Sequence, residues 1–288
     1  MYEILKTQKS KDYELIDSGN GEKLERYGEV ILSRPDPQAL WEKLLNDKWG
    51  DAHMTFNRDG NDGKWISKNK SNTKWQIDLG GFKFWIKPTA FKHVGLFPEQ
   101  LSNWNWIQDK ISMAQKEVSV LNLFGYTGGA TLSCAKAGAK VCHVDASKSS
   151  ISWAKDNVQL SGLNQKPIRY ILDDALAFVK KEIKRGHKYD AIIMDPPAFG
   201  RGPDGEVWKI EDNFIDLINK CFELLSDSPI FFIINGYSSG YSAIAYKNNL
   251  FKIVEKFGGK IEFGELTIEE SVSGRLLPSG IFARWSIN

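Results

Sequence analysis

From about residue 97 onward, runs of apolar, strand-length sequence alternate with amphipathic helical stretches. The strand-like runs are VSVLNLF (118–124), AKVCHVDA (139–146), PIRYILDD (167–174), YDAIIMD (189–195) and PIFFIING (229–236). The helical ones are EQLSNWNWIQDKISMAQ (99–115), the segment 130–137, SSISWAKDNVQLSG (149–162), ALAFVKKEIKRG (175–186), IEDNFIDLINKCFELL (210–225) and YSAIAYKNNLFKIVEKFG (241–258). Apolar strands joined through helices fold as a parallel sheet covered on both faces. The rhythm breaks at the end: KIEFGELTIEE (260–270) and SGIFARWSI (279–287) are strands joined by SVSGRLLP with no helix between them. A connection without a helix implies an antiparallel pairing at the sheet edge. The first part of the chain reads differently, as short alternating runs (GEVILSR, KWISK, KWQIDL, FKFWIKP) between Gly, Asn and Asp turns, with a helix expected near PQALWEKLL (37–45). The expected organisation is therefore a small β-rich domain over 1–95 that docks substrate, followed by an α/β domain with a Rossmann-like, mostly parallel sheet over 96–288.

In open α/β sheets ligands sit at the carboxyl ends of the strands, and the first strand-turn-helix is the usual place. FGYTGG (124–129) falls there, and its glycines, Gly125, Gly128 and Gly129, let backbone adopt positive φ and approach a ligand. Asp145 ends the next strand, where a carboxylate can accept both hydroxyls of a ribose. Asp174 ends the third, where it can face an adenine. Such a set serves a dinucleotide or S-adenosylmethionine. The G-x-x-G-G spacing lacks the pyrophosphate fingerprint, and the antiparallel final hairpin is foreign to a dinucleotide domain. At the tip of the fourth strand, DPPAFGRG (195–202) offers Asp195 and carbonyls stripped of two N–H donors by Pro196 and Pro197, with Phe199 as a flat apolar surface. Acceptors beside an aromatic plane suit a nitrogenous ring that donates N–H and stacks.

In this order and spacing, FGYTGG, HVDAS, DDALAF and DPPAFGRG resemble class I S-adenosylmethionine-dependent methyltransferases, and within them the group holding bacterial 23S rRNA methyltransferases of the cytosine-C5 and guanine-N7 types. The likeness covers about residues 90–288 and includes GLFPEQ (95–100), similar to that group's G-x-F-x-D-Q stretch, although Leu101 stands where the related pattern has Arg. The resemblance implies a seven-stranded sheet and methyl transfer from S-adenosylmethionine. Carried onto the matching motifs, it implies a cofactor site of Phe97, Gln100, Phe124, Gly125, Thr127, Gly128, Asp145, Ala146, Ser147, Asp173, Asp174 and Ala175. Asp195, Pro196 and Phe199 form the catalytic corner that holds the target base.

Pyrimidine C5 methylation needs a thiolate to add at C6. Cys134, Cys142 and Cys221 lie away from the strand tips at DPPAF and INGYSSGYS and read as core residues, so nitrogen methylation is favoured over C5. Nitrogen methylation mainly requires a lone pair held in line with the methyl group, with water excluded. Between Lys64 and Lys92 seven lysines face one acid, Asp78, with Trp65, Trp75, Phe82, Phe84, Trp85 and Phe91 interleaved. That pattern serves RNA docking, or is simply the inward and outward faces of ordinary β structure. His93 and Arg201 are softer candidates for the site. The net charge of +2 supplies no global attraction for nucleic acid, so any RNA contact is local. Three sparse cysteines without metal spacing, a polar start and no apolar run of about 18 residues point to a cytoplasmic protein without metal or membrane partners. Methylation of a base in RNA, ribosomal RNA foremost, is the leading expectation. The alternatives are a methyltransferase for a small molecule or protein side chain, an RNA-binding protein that holds cofactor without turnover, and a nicotinamide-dependent oxidoreductase.

Overall fold

The computed structural model describes residues 1–59, 62–68, 73–237 and 240–287. The chain divides into two compact units: a larger one of Met1–Ile4, Asn103–Glu265 and Gly280–Asn288, and a smaller one of Leu5–Ser102 and Leu266–Ser279. In chain order the strands β1 (Tyr2–Thr7), β2 (Tyr13–Gly19), β3 (Glu22–Tyr27), β4 (Val30–Pro35), β5 (Met54–Asp59), β6 (Asp62–Ser67), β7 (Trp75–Leu79) and β8 (Phe82–Ile86) precede helix α1 (Leu101–Ser112). There follow β9 (Ser119–Leu123), α2 (Gly129–Lys136), β10 (Lys140–Asp145), α3 (Lys148–Leu160), β11 (Ile168–Leu172), α4 (Ala175–Lys184) and β12 (Ala191–Met194). A short hairpin, β13 (Phe199–Arg201) with β14 (Val207–Lys209), leads into α5 (Ile210–Glu223), β15 (Phe231–Gly236), α6 (Ala243–Asn249), α7 (Phe251–Phe257), β16 (Lys260–Glu269) and β17 (Leu276–Ser286). Among the described residues no helix is long and apolar enough to cross a membrane.

The main sheet runs β1-β16-β17-β15-β12-β9-β10-β11. Its centre is parallel, and β17 pairs antiparallel with β15, Phe231 opposite Ser286 and Gly236 opposite Ile281. The buried strands alternate between two apolar layers. Val120, Val141, Ile193, Phe231 and Ile233 pack with Ile107, Ile111 and Cys134 on one face. Leu121, Cys142, Ile192, Phe232 and Ile234 pack with Phe178, Leu217 and Ile218 on the other. Side chains that alternate in direction yet are buried on both faces require cover on both, and the helices supply it. The seven expected strands are present, and β1 makes an eighth. Tyr2 anchors it there: its ring meets Phe263 edge-on at 5.5 Å and its hydroxyl donates to Glu265 at 2.7 Å.

The smaller unit carries a five-stranded sheet, β2-β3-β4-β5-β6, and the β7-β8 hairpin. It is antiparallel except where β5 returns parallel to β4, Leu32 opposite Met54. The helix expected over PQALWEKLL does not form, and only a 3-10 turn, Asn46–Asp51, follows. Tertiary partners take the backbone groups a helix would use. The N–H groups of Leu44 and Leu45 donate to the Asp17 carboxylate (3.2 and 3.0 Å), and the carbonyls of Ala39 and Trp41 accept from Gly21 and Asn20 (2.9 and 2.6 Å). Inside this unit Glu25 is fully buried, with Arg34 Nε at 2.7 Å and the Tyr13 hydroxyl at 2.8 Å.

A candidate cofactor and substrate site at the strand tips

The turn after β9 is held in an unusual conformation. Phe124 and Tyr126 both adopt left-handed backbone, φ 55° and 47°, although neither is glycine. Bulky residues pay about 1–2 kcal/mol for that region, and such strain gathers at functional sites. Of the glycines, Gly128 needs its freedom for φ 92° at the entry to α2, whereas Gly125 is not among the positive-φ residues. This corrects the expectation of positive φ at Gly125 and Gly129, neither of which adopts it. A Cβ on Gly125 would strike the His143 imidazole, and one on Gly129 the Trp104 indole. His143 is itself fixed: Nδ1 meets Thr131 Oγ1 at 2.8 Å, and Thr131 accepts from Asn122 Nδ2 at 2.9 Å. Burial lowers the His143 pKa to about 4, so the ring is neutral at physiological pH.

Asp145 locks the turn from the neighbouring strand. Its Oδ2 accepts the Tyr126 N–H and its Oδ1 the Ser147 N–H, each at 2.8 Å, while the Thr127 carbonyl accepts from Asn157 Nδ2 at 2.9 Å. Burial raises the Asp145 pKa, with the two N–H groups opposing. A carboxylate has about four lone-pair positions, and these two contacts use half of them. Ala146 lies between Asp145 and Ser147, and Ser147 caps α3 through the Ser150 N–H at 3.2 Å. On the next strand the register sets Leu172 beside Asp145, so Asp173, Asp174 and Ala175 follow at the same edge. Asp173 Oδ2 pairs with Lys181 at 2.6 Å. Asp174 Oδ1 caps α4 through the Ala177 N–H at 2.9 Å, a structural role that its position in the sequence did not reveal.

On the other side of β9, Met194 of β12 lies opposite Leu123 and Ile234, so Asp195 sits level with Phe124 and Asn235. Pro196 and Pro197 follow, and the chain enters the β13-β14 hairpin. Trp208 anchors that hairpin. It is buried, packs on Phe124 at 5.1 Å and donates Nε1–H to the Pro197 carbonyl at 2.7 Å. Gly200 faces Trp208 in the hairpin, so Phe199 and Arg201 share the opposite face. Phe199 is 55% exposed with the Arg201 guanidinium 5.9 Å from its ring. The tip of β15 is braced by a buried chain in which Asn103 Nδ2 donates to Asn235 at 2.9 Å and Arg284 to Asn103 at 3.2 Å. Ser238 and Ser239 of INGYSSGYS lie outside the described residues.

The structure thus brings Phe124, Gly125, Thr127, Gly128, Asp145, Ala146, Ser147, Asp173, Asp174, Ala175, Asp195 and Pro196 to one edge of the main sheet. Phe97 and Gln100 belong to the smaller unit. There Gln100 is buried in the 3-10 turn Pro98–Gln100, and Phe97 meets His93 edge-on at 5.3 Å. Burial, then Arg34, lowers the His93 pKa to about 3. The basic aromatic segment resolves mostly into ordinary β structure. Phe82 and Phe84 are core, Trp65 and Trp75 donate to the Thr89 and Tyr27 carbonyls, Lys74 lies 4.1 Å from the Trp85 ring, and Phe91 is exposed. Lys70 lies outside the described residues. All three cysteines are free and buried, with the Cys142 pKa raised to about 11 and those of Cys134 and Cys221 raised further by burial. Among the described residues no group of three or more His, Cys, Asp or Glu side chains is arranged to hold a metal ion.

A locked turn, a strand-end carboxylate and a diproline corner on a parallel sheet with an antiparallel terminal pair define a class I methyltransferase fold built for a nucleoside cofactor. The chain belongs to the S-adenosylmethionine-dependent methyltransferase family, whose profile matches residues 52–240. A crystal structure of the S-adenosylmethionine-dependent methyltransferase from Agrobacterium tumefaciens is 42% identical, superposes with a TM-score of 0.95, and is covered over 94% of its length by 99% of this chain. The candidate methyltransferase SMU.776, solved with S-adenosylhomocysteine, shares the fold at 18% identity (TM-score 0.71, 96% of this chain, 76% of that one). Among curated proteins, ribosomal RNA large subunit methyltransferase K/L of Shewanella frigidimarina is 34% identical over 148 residues, 51% of this chain and 20% of that protein. Methyltransferase K of Neisseria meningitidis is 27% identical over 172 residues, 59% of this chain and 48% of that one. The chain thus spans about a fifth to a half of the length of these relatives.

Proposed function

We propose that the enzyme methylates a base in RNA, ribosomal RNA foremost, at a nitrogen. The observation that carries this reading is the acceptor corner at Asp195 and Pro196, level with the cofactor turn and walled by the Trp208-anchored hairpin. The large-subunit rRNA methyltransferases among its relatives support it. When bound, S-adenosylmethionine supplies an electrophilic methyl group on a sulfonium leaving group. Asp145 holds the ribose, and Asp174 faces the adenine through the oxygen not used in capping. Asp195 and the Pro196 carbonyl accept N–H from the base and orient its lone pair, which is most of what nitrogen methylation asks of a protein. Phe199 offers its exposed ring to the target base, and Arg201 meets a phosphate beside it. Burial that keeps all three thiols protonated argues against a C6-adding thiolate. The β-rich N-terminal region, residues 1–95, docks the RNA through its lysines. Three free, buried cysteines fit a reducing, cytoplasmic setting.

Deletion of the gene followed by mass-spectrometric mapping of RNA modifications tests the reading. The expected result is the loss of one methylated nucleoside in the large ribosomal RNA, restored by purified enzyme and cofactor. An unchanged RNA profile would turn the search to small molecules and proteins. RNA affinity that does not fall with salt would remove the lysine docking surface.

A further inference from the structure

Helix α6 carries a polar group that the cofactor and acceptor contacts leave unused. Tyr246 is 2% exposed, its ring stacked on Phe214 with centroids 5.5 Å apart. Its hydroxyl is sealed from solvent and has no hydrogen-bond partner among the described residues. Native folds rarely leave a buried hydroxyl in that state, and each exception asks for a reason. Phenylalanine would fill the same space without the penalty of desolvating an oxygen.

The hydroxyl's location supplies the reason. It lies against Gly236, the last residue of β15, where any Cβ would strike the phenol oxygen. β15 pairs with β12, Ile234 beside Met194, so Gly236 lies next to the diproline that follows Asp195. The titratable groups that act on the phenol are Asp195, whose charge adds to burial in raising its pKa, and Tyr241, whose own hydroxyl donates to Glu211 at 3.1 Å. The phenol therefore keeps its proton at physiological pH, and Asp195 is the charged acceptor in its surroundings.

We infer that Tyr246 is a positioning residue of the methyl-acceptor site: with substrate bound, its O–H donates to one carboxylate oxygen of Asp195 and leaves the other facing an N–H of the base. The inference rests on the reading of Asp195 as the base contact. The tyrosine makes and breaks no covalent bond and gives up no proton. A hydrogen bond to the charged form of an acid lowers its pKa, so the tyrosine also keeps Asp195 ionised.

The test compares Tyr246→Phe and Asp195→Asn with the unaltered enzyme. Calorimetry measures affinity for S-adenosylhomocysteine. Single-turnover transfer from labelled S-adenosylmethionine to large-subunit rRNA, purified from a strain lacking the gene, is followed across pH. For Tyr246→Phe the expected result is cofactor-product affinity within about twofold of the unaltered enzyme, an unchanged or higher melting temperature, and transfer slowed about tenfold. The acid limb of its rate profile should move up by about one pH unit. A purely structural tyrosine would leave that limb where it is, and an unmoved limb with full transfer overturns the inference while leaving the Asp195 reading intact. Asp195→Asn should bind S-adenosylhomocysteine yet lose transfer. An Asp195→Asn enzyme that transfers normally, or an unaltered enzyme inert on this RNA, overturns the base-contact reading and the role of Tyr246 with it.

Discussion

Gly125 and His143 occupy a space that admits one side chain, and the turn after β9 depends on which residue has it. Gly125→Ala should weaken S-adenosylhomocysteine binding tenfold or more by calorimetry, because the new methyl group must displace either the turn or the imidazole. The double variant Gly125→Ala/His143→Ala should recover most of that affinity; if bare backbone at Gly125 served only ligand approach, the second substitution would restore nothing. Asp145→Ala removes both the lock on Tyr126 and the acceptor assigned to the ribose, so affinity should again fall tenfold or more, the loss expected for charge-assisted hydrogen bonds. Asp145 was legible in the sequence because it ends a strand twenty residues after the glycine turn. His143, Trp208 and Tyr246 were not. Each acts on a residue brought near by folding rather than by spacing, and no local pattern marks a histidine inside a strand as the reason for a glycine elsewhere.

At the scale of elements, the alternation of apolar strands and amphipathic helices was enough to read β9–β12, β15 and their crossover helices. The readings that missed were those where distant partners decide the local structure. Residues 37–45 have helical periodicity, but Asp17 and the β2-β3 turn claim their backbone groups. β1 is short, and its neighbour β16 lies more than 250 residues away in sequence, so its pairing leaves no trace in its own residues. The start of α4 separates two roles of one side chain. Asp174→Ala should cost about 1 kcal/mol in chemical denaturation through loss of the cap and should also weaken S-adenosylhomocysteine binding several-fold. Asp174→Ser keeps a capping oxygen and should show the affinity loss alone. If both variants bind normally, Asp174 is a cap and nothing more.

For the molecule as a whole, two buried carboxyls in the smaller unit set opposing pH dependences. Burial alone would raise Glu25, but Arg34 and then Lys23 outweigh it and hold its pKa down to about 2 from the ordinary 4.5. Its contribution is therefore present above pH 4.5 and lost as pH falls from there through 2. Burial raises Glu99 to about 7, with Lys23 opposing. Its contribution is full below pH 4.5 and lost as pH rises through 7. Denaturation across a pH series should show a stability maximum on the acid side of neutrality. Glu99→Gln should remove the decline toward pH 7 and stabilise the protein at pH 8. Glu25→Gln should cost roughly 3 kcal/mol at neutral pH, the scale for breaking a buried ion pair, and flatten the acid side. The smaller unit is also assembled from two distant stretches of chain. Arg275, from the later stretch, donates to Asp17 at 2.9 Å and to the Ser18 carbonyl at 2.8 Å, and Glu270 accepts from the Ser18 hydroxyl. During synthesis Leu5–Ser102 leaves the ribosome well before Leu266–Ser279, so this unit waits for its clasp until the long stretch between them has been made. That unit is thus among the last parts to finish folding, and truncation anywhere before Leu266 leaves it unclasped.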